Sequence, residues 1–268
     1  MKTLNGLALG SLLCAAAVVG SGCGGSAGFS STDAELAADS TDTADVVSGL
    51  TSVSSDGVDV SASGLTGEQA ATAAAASAGS KFILPACLTK SVTGNVATYT
   101  LNSCSGPYGL VLVTGTLTAT YTVAVAGGTP TVNVNLVGTG IKVNGMTVDV
   151  ATTAKISGPS TNRTASVTST SKATTMRGNS ITHAGQYDAT WDGMCMTLSG
   201  SFATQTMNNS YATVITGYKK CLNACPTQGT VTFTNLSNTL TITYSGGKQA
   251  KLVVNGGAQQ TINLLCQG

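Results

Sequence analysis

The chain has 268 residues, a formal net charge of +1, and only 9% charged and 4% aromatic residues. So little charge gives no footprint for a specific nucleic-acid partner, and so few aromatics cannot build the two interfacial girdles of a transmembrane barrel. There is one histidine, His183, so any triad or imidazole acid–base pair must use it.

Residues 1–22 read as an export signal. Lys2 precedes an apolar stretch from Leu7 to Val19, and small residues follow it. The stretch is shorter than the roughly 20 residues a membrane span needs. The Gly20-Ser21-Gly22-Cys23 ending resembles the lipobox of bacterial lipoproteins, in which the cysteine is lipidated and becomes the N-terminus. It departs from that family at Gly20, where Leu is usual, with Val19 the nearest large apolar residue. By the resemblance, Cys23 ties the protein to the cell envelope, and Gly24 rather than Asp after it implies the outer membrane. The competing reading is cleavage after Gly20 or Gly22, which leaves Cys23 an unpaired thiol in an exported protein.

Residues 23–80 form an acidic leader. Between Gly24 and Ser80 there are eight acids (Asp33, Glu35, Asp39, Asp42, Asp45, Asp56, Asp59 and Glu68) and no Lys or Arg. The composition is Ala, Ser, Thr, Gly and Asp, the signature of a linker that cannot repay its ordering entropy. Thr32 to Glu35 and Thr66 to Gln69 match capping boxes, and the second opens an alanine-rich run to Ala78. Neither shows a wide apolar stripe, so marginal helices in a mostly mobile tether are expected, with the alanine-rich one able to dock on the body.

Residues 81–268 change to period two. Val111, Val113, Leu117, Ala119, Tyr121, Val123 and Val125 alternate with threonines; Met146, Val148, Val150, Ala154 and Ile156 alternate with Thr147, Asp149, Thr153 and Lys155. Ile181, His183, Tyr187 and Trp191 share a parity, as do Met194, Met196, Leu198 and Phe202. Turn signals at Gly127-Gly128, Asn144-Gly145, Gly178-Asn179, Asn208-Asn209, Gly246-Gly247 and Gly256-Gly257 punctuate the pattern. The expected fold is all-β: about ten to twelve long antiparallel strands in a meander, forming a curved sheet or barrel-like body.

Cys14 leaves with the signal and Cys23 takes the lipid. Cys87, Cys104, Cys195, Cys221, Cys225 and Cys266 remain, an even number that predicts disulfides in an exported chain. A zinc site at Cys221 and Cys225 lacks two further ligands, so no metal is expected. Facing residues of a hairpin have a constant residue-number sum. A turn at Asn208-Asn209 puts Cys195 opposite Cys221, or within one residue of it. A turn at Gly94-Asn95, displaced slightly toward Val96, brings Cys87 into register with Cys104, and Cys225 is left for Cys266. Cys221–Cys225 with Cys195–Cys266 is the rival pairing.

Chemistry is poorly provided for. Asp188 and Asp192 lie on the strand face opposite His183, and Asp149 is opposite the apolar residues of its own strand. Asp188 and Asp192 are also about 13 Å apart along an extended chain, beyond the ~5–9.5 Å of glycosidase carboxyl pairs. No phosphate, dinucleotide, nucleophile-elbow or zinc motif is present. The expectation is a non-enzymatic envelope lipoprotein without catalytic residues or cofactor. Its body carries eleven basic and three acidic residues, and would bind an anionic envelope polymer or protein, or serve as a scaffold. Candidate contacts are Lys142, Lys155, Arg163, Lys172, Arg177, Lys219 and Lys220. The alternative is a lipocalin-like carrier holding an apolar ligand against Tyr121, Tyr187, Trp191 and Phe202.

Overall fold

The structure, a computed structural model, describes residues 31–264 other than 62–63, 107–109, 127–128, 193, 208–209, 222–223 and 236–237. The signal segment, Cys23, Cys266 and the Gly127-Gly128 and Asn208-Asn209 turns lie outside the described residues. Two α-helices come first, α1 (Ser31–Ser55) and α2 (Gly67–Ala78). Thirteen strands follow: β1 (Leu88–Thr93), β2 (Val96–Cys104), β3 (Val113–Ala126), β4 (Thr129–Val143), β5 (Met146–Ser157), β6 (Arg163–Thr174) and β7 (Ser180–Trp191), then β8 (Cys195–Gln205), β9 (Ser210–Cys221), β10 (Gln228–Thr234), β11 (Thr239–Tyr244), β12 (Gln249–Val254) and β13 (Gln260–Asn263). They form one antiparallel meander in sequence order, with β1 and β13 at its unjoined edges.

The strands follow the predicted alternation. In β5 every second residue from Met146 to Ile156 is buried and those between are exposed; β6 repeats the pattern from Arg163 to Ala173. The stripe in β3 is buried from Val113 to Tyr121 and emerges by Val125. Asn144 and Gly145 both hold positive φ, at 53° and 82°, the requirement of a type I′ hairpin. On the inner face of β7 and β8, Gly185 stands opposite Phe202 and Gly200 opposite Tyr187. A Cβ at either glycine would run into the backbone of the facing strand and into that aromatic residue. Gly185→Ala is therefore expected to cost about 1–3 kcal/mol by overpacking, read as a fall in the urea midpoint at unchanged slope.

Two disulfides join described cysteines. Cys195 is directly opposite Cys221, with Cα atoms 3.8 Å apart, as the hairpin register predicts. Cys87–Cys104 also forms, at a Cα separation of 5.3 Å, but by a different route from the expected turn displacement. The hairpin keeps the Gly94-Asn95 register, Leu88 facing Leu101. The cysteines then meet because Cys87 closes a 3₁₀ turn and Ser103 takes φ 54° beside Cys104. Cys225 is disulfide-bonded too, and its expected partner, Cys266, lies outside the described residues.

The largest departure concerns the leader. Instead of a mobile linker, residues 31–55 form α1, and from Leu36 to Ser55 nearly every side chain described is buried. Leu36, Val46, Leu50 and Val53 join one core with strand residues from β1 to β12. Partners along α1 come from β3 (Tyr121), β6 (Arg163), β8 (Thr204) and β9 (Thr213 and Lys220). A single helix touched by so many strands of one sheet means that the sheet wraps around it. The buried hydroxyls are satisfied locally: Thr41, Thr43 and Thr51 donate to the carbonyls of Ala37, Asp39 and Val47 one turn back.

The second leader helix is as predicted and does dock. Thr66 and Gln69 close a reciprocal capping box. Ala70, Ala71, Ala74, Ala75 and Ala78 are buried, and α2 lies against β1, β2, β3 and α1. None of the described helices is long and apolar enough to cross a membrane.

Candidate functional site

The seven candidate cations divide between the two faces of the sheet. Three of them are not available to a partner, because α1 holds them. Arg163, the first residue of β6, donates from Nη1 to the Ser55 carbonyl at 2.6 Å and lies 3.1 Å from Asp56 Oδ1. Its guanidinium also sits 5.6 Å from the Trp191 ring centroid. Arg177, in the β6–β7 turn, meets Asp39 at 2.5 Å, and Asn179 donates to the same carboxylate at 2.9 Å. Lys220 of β9 lies 3.1 Å from Asp45. Three of the leader's eight acids are thus paired with cations of the body.

The other four remain on or near the surface. Lys219 is 3.4 Å from Asp192, whose pKa is held below the usual range, chiefly by the Cys195 backbone N–H it accepts from. Lys142, Lys155 and Lys172 are exposed on the outer face and have no ion pair among the described residues. Two shallow concavities mark that face. One, of about 460 Å³, is lined by Thr147, Asp149, Lys172, Thr182, Gln205 and Met207. The second, of about 510 Å³, is lined by Thr131, Lys155, Thr164, Ser166, Asp188 and Thr190. Each couples one ammonium and one carboxylate within a rim of hydroxyls.

The inner face holds the polar groups with perturbed chemistry. His183 lies on the core parity and is fully buried. Its Nδ1 is 3.0 Å from Thr204 Oγ1, while Nε2 has no hydrogen-bond partner. The ring stacks on Phe202 at 4.4 Å, and burial pulls its pKa down to about 4. Thr204 Oγ1 also lies 2.7 Å from Ser40 Oγ, which reaches Thr213 Oγ1 at 3.1 Å. This hydroxyl–imidazole chain has the elements of a nucleophile and base. Its members are buried, among the described residues no carboxylate is hydrogen-bonded to the ring, and the chain joins α1 to β7–β9. Asp149 and Asp188 are on the opposite, outer face, as parity predicts; they accept from Gly140 N and Ser166 Oγ.

A second buried chain pins the other end of α1. Tyr99 and Tyr121 hydroxyls are 2.9 Å apart, and Tyr121 donates to the Ser54 carbonyl at 2.5 Å. Tyr121, Tyr187, Trp191 and Phe202, the expected lining of a ligand cavity, are all buried in the core that α1 completes. The chain's own helix α1 packs against them.

Asp39, Asp45 and Asp56 on and beside α1 were not singled out by sequence reasoning as partners of the body cations. The signal was present in the charge count: an acidic leader and a basic body of equal and opposite size. Comparison with known protein families, curated proteins and solved structures returned no match.

Proposed function

We propose that this chain is a non-enzymatic lipoprotein of the cell envelope, anchored through Cys23, whose rigid β body acts by binding or scaffolding at its outer face. The observation that carries the binding mode is that the inside of the sheet is filled by α1, with the inner cations committed to it. Recognition then falls to the convex surface. Its uncommitted ammonium groups, Lys155 and Lys172 within the two concavities and Lys142 nearby, suit an anionic envelope polymer or protein partner. The apolar run ending in Gly-Ser-Gly-Cys supports the anchor, and Gly24 after the cysteine supports an outer-membrane location by the same resemblance.

Intact-mass measurement on detergent-extracted protein tests the anchor. The expected mass is that of the chain from Cys23 plus acyl groups, and Cys23→Ser should move the protein from the membrane to the soluble envelope fraction. A mass equal to the bare chain from residue 21 or 23 would sink the reading. Salt-sensitive retention on an anionic polymer matrix, lost in Lys155→Ala/Lys172→Ala, tests the outer face separately.

A further inference from the structure

We propose that Asp42 is a pH-sensitive latch: α1 is held most firmly inside the sheet while Asp42 keeps its proton, and the hold weakens as pH rises. This is independent of the lipid anchor and of any partner.

The geometry is a count of charges around one half-buried side chain whose inner oxygen is shut off from water. Asp39, Asp42 and Asp45 follow at three-residue spacing on α1, so they line neighbouring turns of the helix. Asp39 is taken by Arg177 and Asn179. Asp45 is taken by Lys220 at 3.1 Å and faces the Tyr218 hydroxyl at 3.4 Å. Asp42 Oδ2 lies between them, buried and with no hydrogen-bond partner. The charged groups acting on it are Asp39 and Asp45 from its own helix, Arg177 from the β6–β7 turn and Lys220 from β9. The phenols of Tyr218 on β9 and Tyr244 on β11 complete the surroundings, both feeling the Asp42 charge. Tyr244 packs edge-on against Tyr218 at 5.2 Å, and its hydroxyl is also without a partner.

Three carboxylates therefore face two cations, and the cluster is neutral only when one acid keeps its proton. Asp42 is that acid. Burial, then the neighbouring Asp45, raise its pKa from 3.8 to about 7, against the opposing pull of Arg177 and Lys220. The sign follows from linkage. A carboxyl whose pKa is raised in the folded state binds more protons folded than opened, so its contribution is unfavourable as pH rises between the two pKa values. Between pH 6 and pH 8 the opening equilibrium of α1 should increase about ten-fold from Asp42 alone. His183, near Ser40 through Thr204 and held neutral by burial, acts in the opposite direction over the lower part of that window. The Asp42 effect is therefore read as a difference between wild type and Asp42→Asn, in which the His183 contribution cancels.

The experiment is amide hydrogen exchange of α1 in the full chain at pH 6 and pH 8, corrected for the intrinsic pH dependence of exchange. Expected is a pH-dependent loss of α1 protection about ten-fold greater in wild type than in Asp42→Asn, with Asp42→Ser behaving like Asp42→Asn. Equal pH dependence in wild type and variant overturns the latch. Carbon-detected titration of the nine aspartates in wild-type protein tests the same point without a variant. One carboxyl titrating near neutrality supports the proposal, and all nine ionised by pH 5.5 overturns it.

Discussion

A chain truncated to residues 81–268 is expected not to fold, although its thirteen strands are all present. The truncation removes Leu36, Val46, Leu50 and Val53 from the centre of the core. It also removes Asp39, Asp45 and Asp56, the partners of Arg177, Lys220 and Arg163. A buried charge left without its partner costs about 3–5 kcal/mol, and a whole domain has only about 5–15 kcal/mol to lose. If the interior opens to solvate those cations, the apolar inner faces of β3 to β11 are exposed instead. Either way the native sheet is not the stable state. The measurement is a thermal melt with amide chemical-shift dispersion on the truncated chain. A cooperative melt and a dispersed spectrum matching the full chain would refute the central role of α1. A peptide covering residues 31–56, added in trans, should restore dispersion. In the full chain, limited proteolysis should spare α1 for as long as it spares the strands.

That result would also explain what the sequence concealed. Period-two alternation was legible because each long strand has one face on the core and one in water, so parity alone placed His183 inside and Asp149 and Asp188 outside. Hairpin register was legible where the turn is regular, as for Cys195 and Cys221. It was less so at Cys87 and Cys104, where the left-handed backbone at Ser103 shifts one partner. The central helix was hidden for a physical reason. Amphipathic stripes mark helices with one face in water, whereas nearly every described side chain of α1 from Leu36 on is buried, and small side chains suit a helix within a wrapped sheet. Ser, Thr, Ala and Asp meet that need, and they are also the composition of a disordered linker. What separates the two cases lies outside the segment itself. The hydroxyls find carbonyls one turn back only once a helix forms, and the acids find Arg163, Arg177 and Lys220 only once the open sheet curls around them. The candidate cations were legible as a set, but their division between inner and outer faces follows parity only in regular strands: an irregularity at Gly217 in β9 turns Lys220 inward, and Arg177 sits in a turn, where parity has no meaning.

The second large effect is expected at Arg163, where one side chain ties the C-terminal end of α1 to the sheet. Its side chain is only 3% exposed. The guanidinium donates to the Ser55 carbonyl at the helix end, pairs with Asp56 and lies over Trp191. A planar, weakly hydrated cation can make these three contacts together; an ammonium cannot. Helix C-termini also favour a cation, because the last carbonyls lack intrahelical donors. Asp56 has further partners in Lys81, at 3.2 Å, and Ser77. Arg163→Met should therefore fall at the lower end of the range for a broken buried pair, about 3 kcal/mol, and Arg163→Lys should recover part of that loss. Asp56→Asn in the Arg163→Met background should cost less than Asp56→Asn alone, since it removes a charge that has already lost its main buried partner. Urea unfolding of the four proteins of this cycle, together with Arg163→Lys, decides the matter. Strict additivity, or an Arg163→Met loss within about 0.5 kcal/mol of wild type, would show that the cation is a passenger on the sheet and that α1 is held by its other contacts.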